Sequence, residues 1–500
     1  MLIFLLVSGL VHAGAVQPEK AAVQPAAAAV SIRDHGAEGD GSTDDTSAIV
    51  AAFSAVCTSG GGRIRIPSGT YIFNPAAASI PICSDLVVQG PGTLKVKPDA
   101  GNYRAIFEPS PPEAEVNNVT FTGISVDQNT FSNTAATIDV GDVGTHQRIW
   151  QVFAGTNLHF ENMRLYVSGV NPIDVNGPTV SGVYVNRNHI VFQKRAGQPE
   201  FDNSSIYIHG DNFHVTDNTF VSTAADAART AIEVHSGSGS VSGNTIDQFS
   251  IGMNLVDLKE SSITGNHVRN AGYGITLWST TVMESVVISG NTLAIAQVTR
   301  GTASSWGIAT SSDADFNGDF SDLQITGNIV RFEQESSSRT INGSANYGIG
   351  LQAPGNISNA LILGNEITRA PVRGIAVGVL DGRYTASRVS VAHNRIVDAG
   401  SNVSPGALHY SAAISVQGNL SSIDVLRNRL DFLSNPFIGR YSYWSFETGY
   451  TFTNVVVAEN YATAVHGPPT NGLTASVIQT YPPQVAGDSS DRDAAQRDPQ

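Results

Sequence analysis

Through most of its length the chain alternates apolar and polar residues in runs of four to six, as in Gly-Ile-Thr-Leu (274–277) and Gly-Ile-Ala-Val (374–377). Alternation with period two predicts short strands with one face in a core and the other turned outward. Between the runs a phrase recurs: Val-Ser-Gly-Asn-Thr-Ile (241–246), Ile-Thr-Gly-Asn-His-Val (263–268), Ile-Ser-Gly-Asn-Thr-Leu (288–293), Ile-Thr-Gly-Asn-Ile-Val (325–330) and Ile-Leu-Gly-Asn-Glu-Ile (362–367). Looser copies centre on Asn188, Asn218, Asn394, Asn428 and Asn460, and the asparagines lie from 22 (244 to 266) to 37 (291 to 328) residues apart. A repeated strand, Gly-Asn corner and second strand is the signature of a solenoid.

A leucine-rich repeat would keep a fixed leucine frame, and a helical repeat a period near 3.6 residues; neither is present. A propeller blade fits the length of the unit, but the unequal spacing and the single Asn phrase fit a coil better. The predicted fold is all-β, a single-stranded right-handed parallel β-helix. Its asparagines would stack one above another, bonding side chain to backbone at each turn.

The coil is expected over residues 31–467, after a flexible Ala/Pro/Gln leader at 14–30. Ahead of the leader, the apolar run Leu2 to Val11 and Val11-His12-Ala13 read as a signal peptide cut after Ala13, although no basic residue precedes the run. The alternative is a buried first strand. Residues 468–500 lose the repeat, and the tail from about 482 reads as disordered. Ser434 to Phe452 is aromatic-rich and reads as a loop lying over the coil, with the rim of a sugar site as the alternative.

One helix is predicted, from Thr46 to Cys57, with Ile49, Ala52, Phe53 and Val56 on one face. Asp44 and Asp45 before it read as capping residues that complement the helix dipole. Gly60-Gly61-Gly62 ends it, and Arg63-Ile-Arg-Ile-Pro-Ser-Gly-Thr-Tyr-Ile is expected to alternate as the first strand. The glycines lack the Lys-Ser/Thr and following helix of a phosphate loop. Cys57 and Cys83 are the chain's two cysteines. In an exported protein they suggest one disulfide, with two buried thiols as the alternative.

Asp34-His-Gly-Ala-Glu-Gly-Asp-Gly-Ser-Thr-Asp-Asp-Thr, the Ala-rich helix and Gly-Gly-Gly-Arg-Ile-Arg-Ile-Pro-Ser-Gly-Thr-Tyr together resemble the opening segment of the pectate-lyase-like superfamily. That group includes rhamnogalacturonase-like hydrolases, polysaccharide lyases, epimerases and phage tailspikes. The close resemblance covers about residues 31–75, and it implies a helix capping the open end of a β-helix. The hydrolase branch would carry Asn-Thr-Asp, a second Asp-Asp, Gly-His-Gly and Arg-Ile-Lys, and the epimerase branch Asp-Pro-His-Asp. Gly-His-Gly, Arg-Ile-Lys, a second Asp-Asp and Asp-Pro-His-Asp are missing here, so neither branch lends its catalytic residues, and fold alone does not give function.

The net charge of −15 argues against a nucleic-acid partner, which needs a basic surface, and against anionic membranes. Apart from the short N-terminal run, no segment is long and apolar enough for a membrane-spanning helix. No Cys/His cluster has the spacing of a zinc site. Asp313, Asp315 and Asp319 resemble a calcium loop that lacks its closing Glu, and a solvated loop is the plainer reading. No cofactor is expected.

Alignment of the apolar-x-apolar strand in successive turns locates candidate chemistry. The matching strands are Ile173-Asp-Val-Asn, Ile206-Tyr-Ile-His, Ile232-Glu-Val-His, Met253-Asn-Leu-Val and Ile275-Thr-Leu-Trp. Parallel strands stack about 4.8 Å apart. Asp174, Tyr207, Glu233 and Asn254 would then form one outward column, and Asn176, His209, His235 and Trp278 the next. In later turns the matching positions are Ala309, Ser311, Gly350, Gln352, Ala376 and Gly378, which are chemically bland.

Two histidines, a tyrosine and a carboxylate in one neighbourhood suit general acid/base work, whereas each residue alone would read as ordinary strand polarity. Lys194, Arg195 and Arg229 on flanking loops would hold an acidic sugar. Taken with the resemblance, this predicts an exported enzyme on a uronic-acid polysaccharide. In a lyase, His209, His235 or Tyr207 removes the C5 proton while Glu233, if protonated, neutralises charge or else orients a histidine. In a hydrolase Glu233 and Asp174, two turns apart, act as acid and base at inverting separation. Asn176, Asn254 and Trp278 would contact substrate. The remaining alternatives are a carbohydrate-binding or adhesion β-helix without turnover, and a tailspike-like subunit; the oligomer is a monomer or a trimer.

Overall fold

The computed structural model describes residues 29–194, 202–223, 229–296, 304–310, 315–333, 346–400, 412–431, 443–444, 451–463 and 470–471. Among them every strand pairing is parallel, in a sheet of 28 strands and a second of 15. One turn of the coil, hereafter a rung, comprises Thr230–His235, Gly239–Ser242 and Thr245–Asp247. The next comprises Ile251–Val256, Lys259–Thr264 and His267–Ala271. The first two strands of each rung lie in the large sheet and the third in the small one, giving a three-sided right-handed parallel β-helix.

The interior follows the period-two pattern. Ile173, Ile206, Ile232, Met253, Ile275, Ile308, Ile349, Ile375 and Ile414 are buried at equivalent positions. At the N-terminal end the filling is aromatic: Phe107 stacks on Trp150 at 5.5 Å and Phe121 on Phe160 at 6.1 Å. The one α-helix among the described residues, Thr46–Thr58, closes this end with Ile49, Ala52, Phe53 and Val56 buried. Its Phe53 ring lies 5.9 Å from Phe107. Each such ring contributes about 1.5–3 kcal/mol by leaving water.

The predicted asparagine stack runs unbroken from Asn188 to Asn460. Asn244 is typical: its backbone N–H and its Nδ2 both donate to Asn266 Oδ1, at 3.0 and 2.9 Å, and Nδ2 also donates to the Val215 carbonyl at 2.8 Å. The residue before each asparagine is left-handed, which explains the recurrent glycine. Gly243, Gly265, Gly290, Gly327 and Gly364 have φ between +62° and +67°. The looser copies put Arg187, Asp217, His393, Arg427 and Glu459 in the same conformation, each at a steric cost of about 1–2 kcal/mol.

Four details differ from expectation. Val30–Ser31 already pairs with Ile64–Arg65, so the coil begins inside the supposed leader, and Thr470–Asn471 pairs with Tyr443–Trp444 beyond its expected end. Arg63 to Ile72 is not one strand, because Pro67-Ser68-Gly69 turns a corner between Gly62–Arg65 in one sheet and Thr70–Phe73 in the other. Capping falls to Asp44, which accepts from the Thr46 N–H at 3.2 Å and pairs with Lys97 at 3.0 Å. Asp45 turns back to accept from Glu38 N–H at 2.7 Å, so its buried carboxyl pins the opening loop. The expected disulfide between Cys57 and Cys83 is present.

The signal-peptide run, Asp313 and most of 434–452 lie outside the described residues. Asp319 spends its carboxylate on the Asn356 backbone and side chain, at 2.9 and 3.0 Å. Among the described residues no helix is long and apolar enough to cross a membrane.

Candidate active site

Strand register brings the aligned residues into the two columns. Asp174 pairs with Tyr207, Tyr207 with Glu233 and Glu233 with Asn254. Alongside them run Asn176, His209, His235, Val256 and Trp278. Ile232 and Val234 are fully buried, which forces Glu233 and His235 between and beyond them to the outer face.

Glu233 is the hub. Its Oε1 lies 2.8 Å from His235 Nε2 and accepts from Asn254 Nδ2 at 3.1 Å, while Ser204 Oγ donates to Oε2. Burial alone would raise its pKa, but these bonds together with the nearby His235 charge outweigh burial and leave it below the usual carboxylate value. Glu233 is therefore an ionised orienter of His235 rather than a protonated neutraliser.

His209 sits one rung above His235, with ring centres 6.3 Å apart. Its Nδ1 lies 3.3 Å from Asn176 Oδ1. Burial and then His235 lower its pKa, so the neutral ring is favoured. An Nδ1–H donated to Asn176 leaves the Nε2 lone pair free. The Tyr207 ring lies 4.8 Å from that of His235. Burial, followed by Glu233, Asp174 and Asp202, raises the phenol well above its ordinary range and keeps it protonated.

Asp174 occupies its predicted register but is enclosed. It is buried and ion-paired with Arg148, itself almost wholly covered. Burial, opposed by Arg148, pushes its pKa up to about 6. This corrects its reading as an accessible hydrolytic carboxylate. The flanking cations also differ from expectation. Arg229 is paired with Asp202 at 3.0 Å. Lys194 stands just past the strand His189–Phe192, in the small sheet. Arg195 lies outside the described residues. Trp278 meets Phe316 edge-on, with centroids 4.0 Å apart, two rungs below His235.

Sequence alignment missed Ser204, Asp202, Gln151, Arg104 and Arg148. Gln151 was within reach of the same rule, since Trp150-Gln151-Val152 is the rung above Asp174. The bland later positions also have a reason. A side chain on Gly350 would strike the Tyr347 ring at 2.4 Å. One rung up, Trp306 stacks on Tyr273 at 3.9 Å and donates to Thr276 Oγ1 at 3.1 Å. Small residues there leave room for rings contributed from the second position of the strand, Trp306 in Ser305–Thr310 and Tyr347 in Asn346–Ala353.

A parallel β-helix with an outward His/Tyr/carboxylate cluster is the class these features define. Residues 29–254 match the family model described as rhamnogalacturonase A/epimerase, pectate lyase-like. The resemblance read from residues 31–75 thus holds through the rungs that carry the cluster as far as Asn254. A polygalacturonase of Malus domestica is 37% identical over 78 residues, which is 15% of this chain and 17% of the relative. Alginate lyase 7 of Azotobacter vinelandii is 54% identical over 41 residues, 8% of this chain and 5% of the relative. The chain therefore matches less than a fifth of either curated relative's length. Among solved structures, the Streptococcus pneumoniae surface protein and adhesin PfbA has a TM-score of 0.50 at 15% identity, over 86% of this chain and 100% of that one. That likeness shows the fold alone.

Proposed function

We propose that this chain is an enzyme that cleaves a uronic-acid-containing polysaccharide by β-elimination. The observation that carries the reading is the His209–Asn176 pair, a neutral imidazole with one nitrogen fixed and the other free, beside a protonated Tyr207 and an anion-oriented His235. His209 Nε2 takes the C5 proton of the uronate, the C4–O bond breaks as a C4–C5 double bond forms, and the Tyr207 hydroxyl protonates the departing oxygen. His235, held by Glu233, stabilises the charge that develops on the carboxylate side.

Hydrolysis by Glu233 and Asp174 is less well supported, because Glu233 is held ionised and Asp174 is enclosed behind Arg148. The Cys57–Cys83 disulfide supports work in an oxidising compartment outside the cytoplasm. The test is ultraviolet absorbance at about 235 nm, the unsaturated-uronide band that elimination creates, across polygalacturonate and alginate. A rise that His209→Ala abolishes is expected. New reducing ends without absorbance would overturn elimination in favour of hydrolysis, and silence in both assays would leave a binding protein.

A further inference from the structure

We propose that Arg104 is the carboxylate anchor of the groove, fixing a uronate unit next to the one being cut and setting the preference for acidic over neutral chains. The inference rests on the polysaccharide reading above but not on the elimination step.

Three arginines border the upper end of the cluster, and each has a carboxylate beside it. Arg148 is buried against Asp174, and Arg229 is paired with Asp202. Arg104 is held differently. Its Nε donates to Gln151 Oε1 and lies 3.4 Å from Glu108 Oε2, and its guanidinium carbon lies 5.8 Å from the Phe153 ring centre. Its side chain remains 30% exposed. Among the described residues neither Nη group makes a hydrogen bond, so the outer edge of the fork is free. Glu108 pairs with the guanidinium at Nε.

A guanidinium fixed at one edge and free at the other presents two parallel N–H groups, which a carboxylate accepts in bidentate fashion. The ordering cost is already met by Gln151, Glu108 and Phe153, so little is lost on binding. Position completes the argument. Gln151 pairs with Asp174 and Asp174 with Tyr207, so the Gln151 side chain that holds Arg104 stands two rungs, roughly 9–10 Å, above the phenol, and Arg104 itself precedes the strand one rung higher. A carboxylate there belongs to a different sugar unit from the one at His209, and the chain must run along the coil, from Arg104 past the histidines toward Trp278 and Phe316.

The experiment is calorimetric titration of the full chain in the His209→Ala background, which removes the proposed base so that the octamers are not cleaved. The ligands are galacturonate and alginate octamers and their carboxyl-reduced, neutral counterparts, with wild type denoting Arg104 in that background. The wild type is expected to bind an acidic octamer about tenfold or more tightly than its neutral counterpart, the size of one charge-assisted pair. R104Q should lose that difference while binding the neutral octamer unchanged, and R104K should keep part of it. If R104Q does not fold, R104K carries the test: lysine cannot form the bidentate fork, so its discrimination must fall. Equal discrimination in wild type and R104K, or none in wild type, overturns the anchor. Because binding is read without turnover, failure of elimination leaves this result standing, and failure of the anchor leaves elimination standing.

Discussion

His235 Nε2 lies 2.8 Å from Oε1 of Glu233, two residues earlier on the same strand. The carboxylate fixes the orientation of the ring through Nε2. Glu233→Gln keeps the shape but removes the charge. It should lower kcat by roughly tenfold to a hundredfold with little change in KM, whereas His209→Ala, which removes the base, should cost about 10²–10⁴-fold. Steady-state kinetics on the responsive polymer checks both. A Glu233→Gln enzyme with full kcat would remove His235 from the reaction.

The pH profile follows from His209. Its pKa is lowered by burial and then by His235, so the neutral base persists to more acidic pH than an ordinary histidine allows. The acid limb of kcat/KM should therefore fall below about 6.5, the unperturbed value. Asn176→Asp places an anion 3.3 Å from Nδ1; it should favour the charged ring and move the acid limb upward by about one unit. A limb that does not move would detach the profile from His209.

Asp174 makes a separate prediction about stability. Its pKa rises from 3.8 to about 6 on folding. A raised folded value means that its favourable contribution is complete below pH 3.8 and is lost as pH rises to 6, a swing of about 3 kcal/mol. Asp174→Asn cannot titrate and stands in for the protonated acid, so it should match wild type near pH 4 and be the more stable protein at neutral pH, where wild type carries the buried charge. The gap between variant and wild type in melting temperature should widen as pH rises from about 4 to 7. A gap independent of pH would mean that Asp174 does not titrate in this window.

How much of this was legible in the sequence depends on the range of the interaction. The period-two pattern and the Gly-Asn phrase are local, so the coil, the asparagine stack and the register of Asp174, Tyr207, Glu233 and His235 could be read directly. Burial of the outward face could not. Asp174 reads as exposed because alternation says which way a side chain points, not what covers it; its cover includes Arg148, on a strand 26 residues earlier. The blandness of Ala309 and Gly350 misled for the same reason, since the outer face there is covered by the rings of Trp306 and Tyr347, three residues away along each strand. Arg104 escaped notice because it precedes its strand, Ala105–Pro109, and fits no alternating pattern.

The disulfide ties the capping helix to the first rungs. Cys57 and Cys83 are 26 residues apart, and a loop of that size restricts the unfolded chain by about 3–4 kcal/mol in the chain-entropy treatment. Reduction, or the double substitution to Ser, should lower the melting temperature and first expose the N-terminal end, where Phe53 covers Phe107. Hydrogen exchange resolved by segment would show protection lost over residues 46–107 before the central rungs. Uniform loss along the coil would indicate that the cap and coil unfold as one unit.

The asparagine stack should cost most where it is interrupted in the middle. Asn291 Oδ1 accepts from Asn266 N–H and Nδ2 at 2.9 and 3.0 Å, and Asn291 Nδ2 donates to the Ile263 carbonyl and to Asn328 Oδ1, both at 2.9 Å. Asn291→Ala strands these groups in a buried corner that water does not reach, at roughly 1–3 kcal/mol for each one left unpaired. Asn460 makes the same kinds of bond and is buried, but at 8% exposure it lies nearer to solvent than Asn291 at 0%. Water can replace some of its partners, so Asn460→Ala should cost less than half as much. Each rung of a solenoid leans mainly on its neighbours, so the loss should be local. The amide of Asn266 should exchange about a hundredfold faster in Asn291→Ala, with amides several rungs away unchanged. Equal acceleration along the whole coil would mean that the stack acts on global stability rather than on each corner.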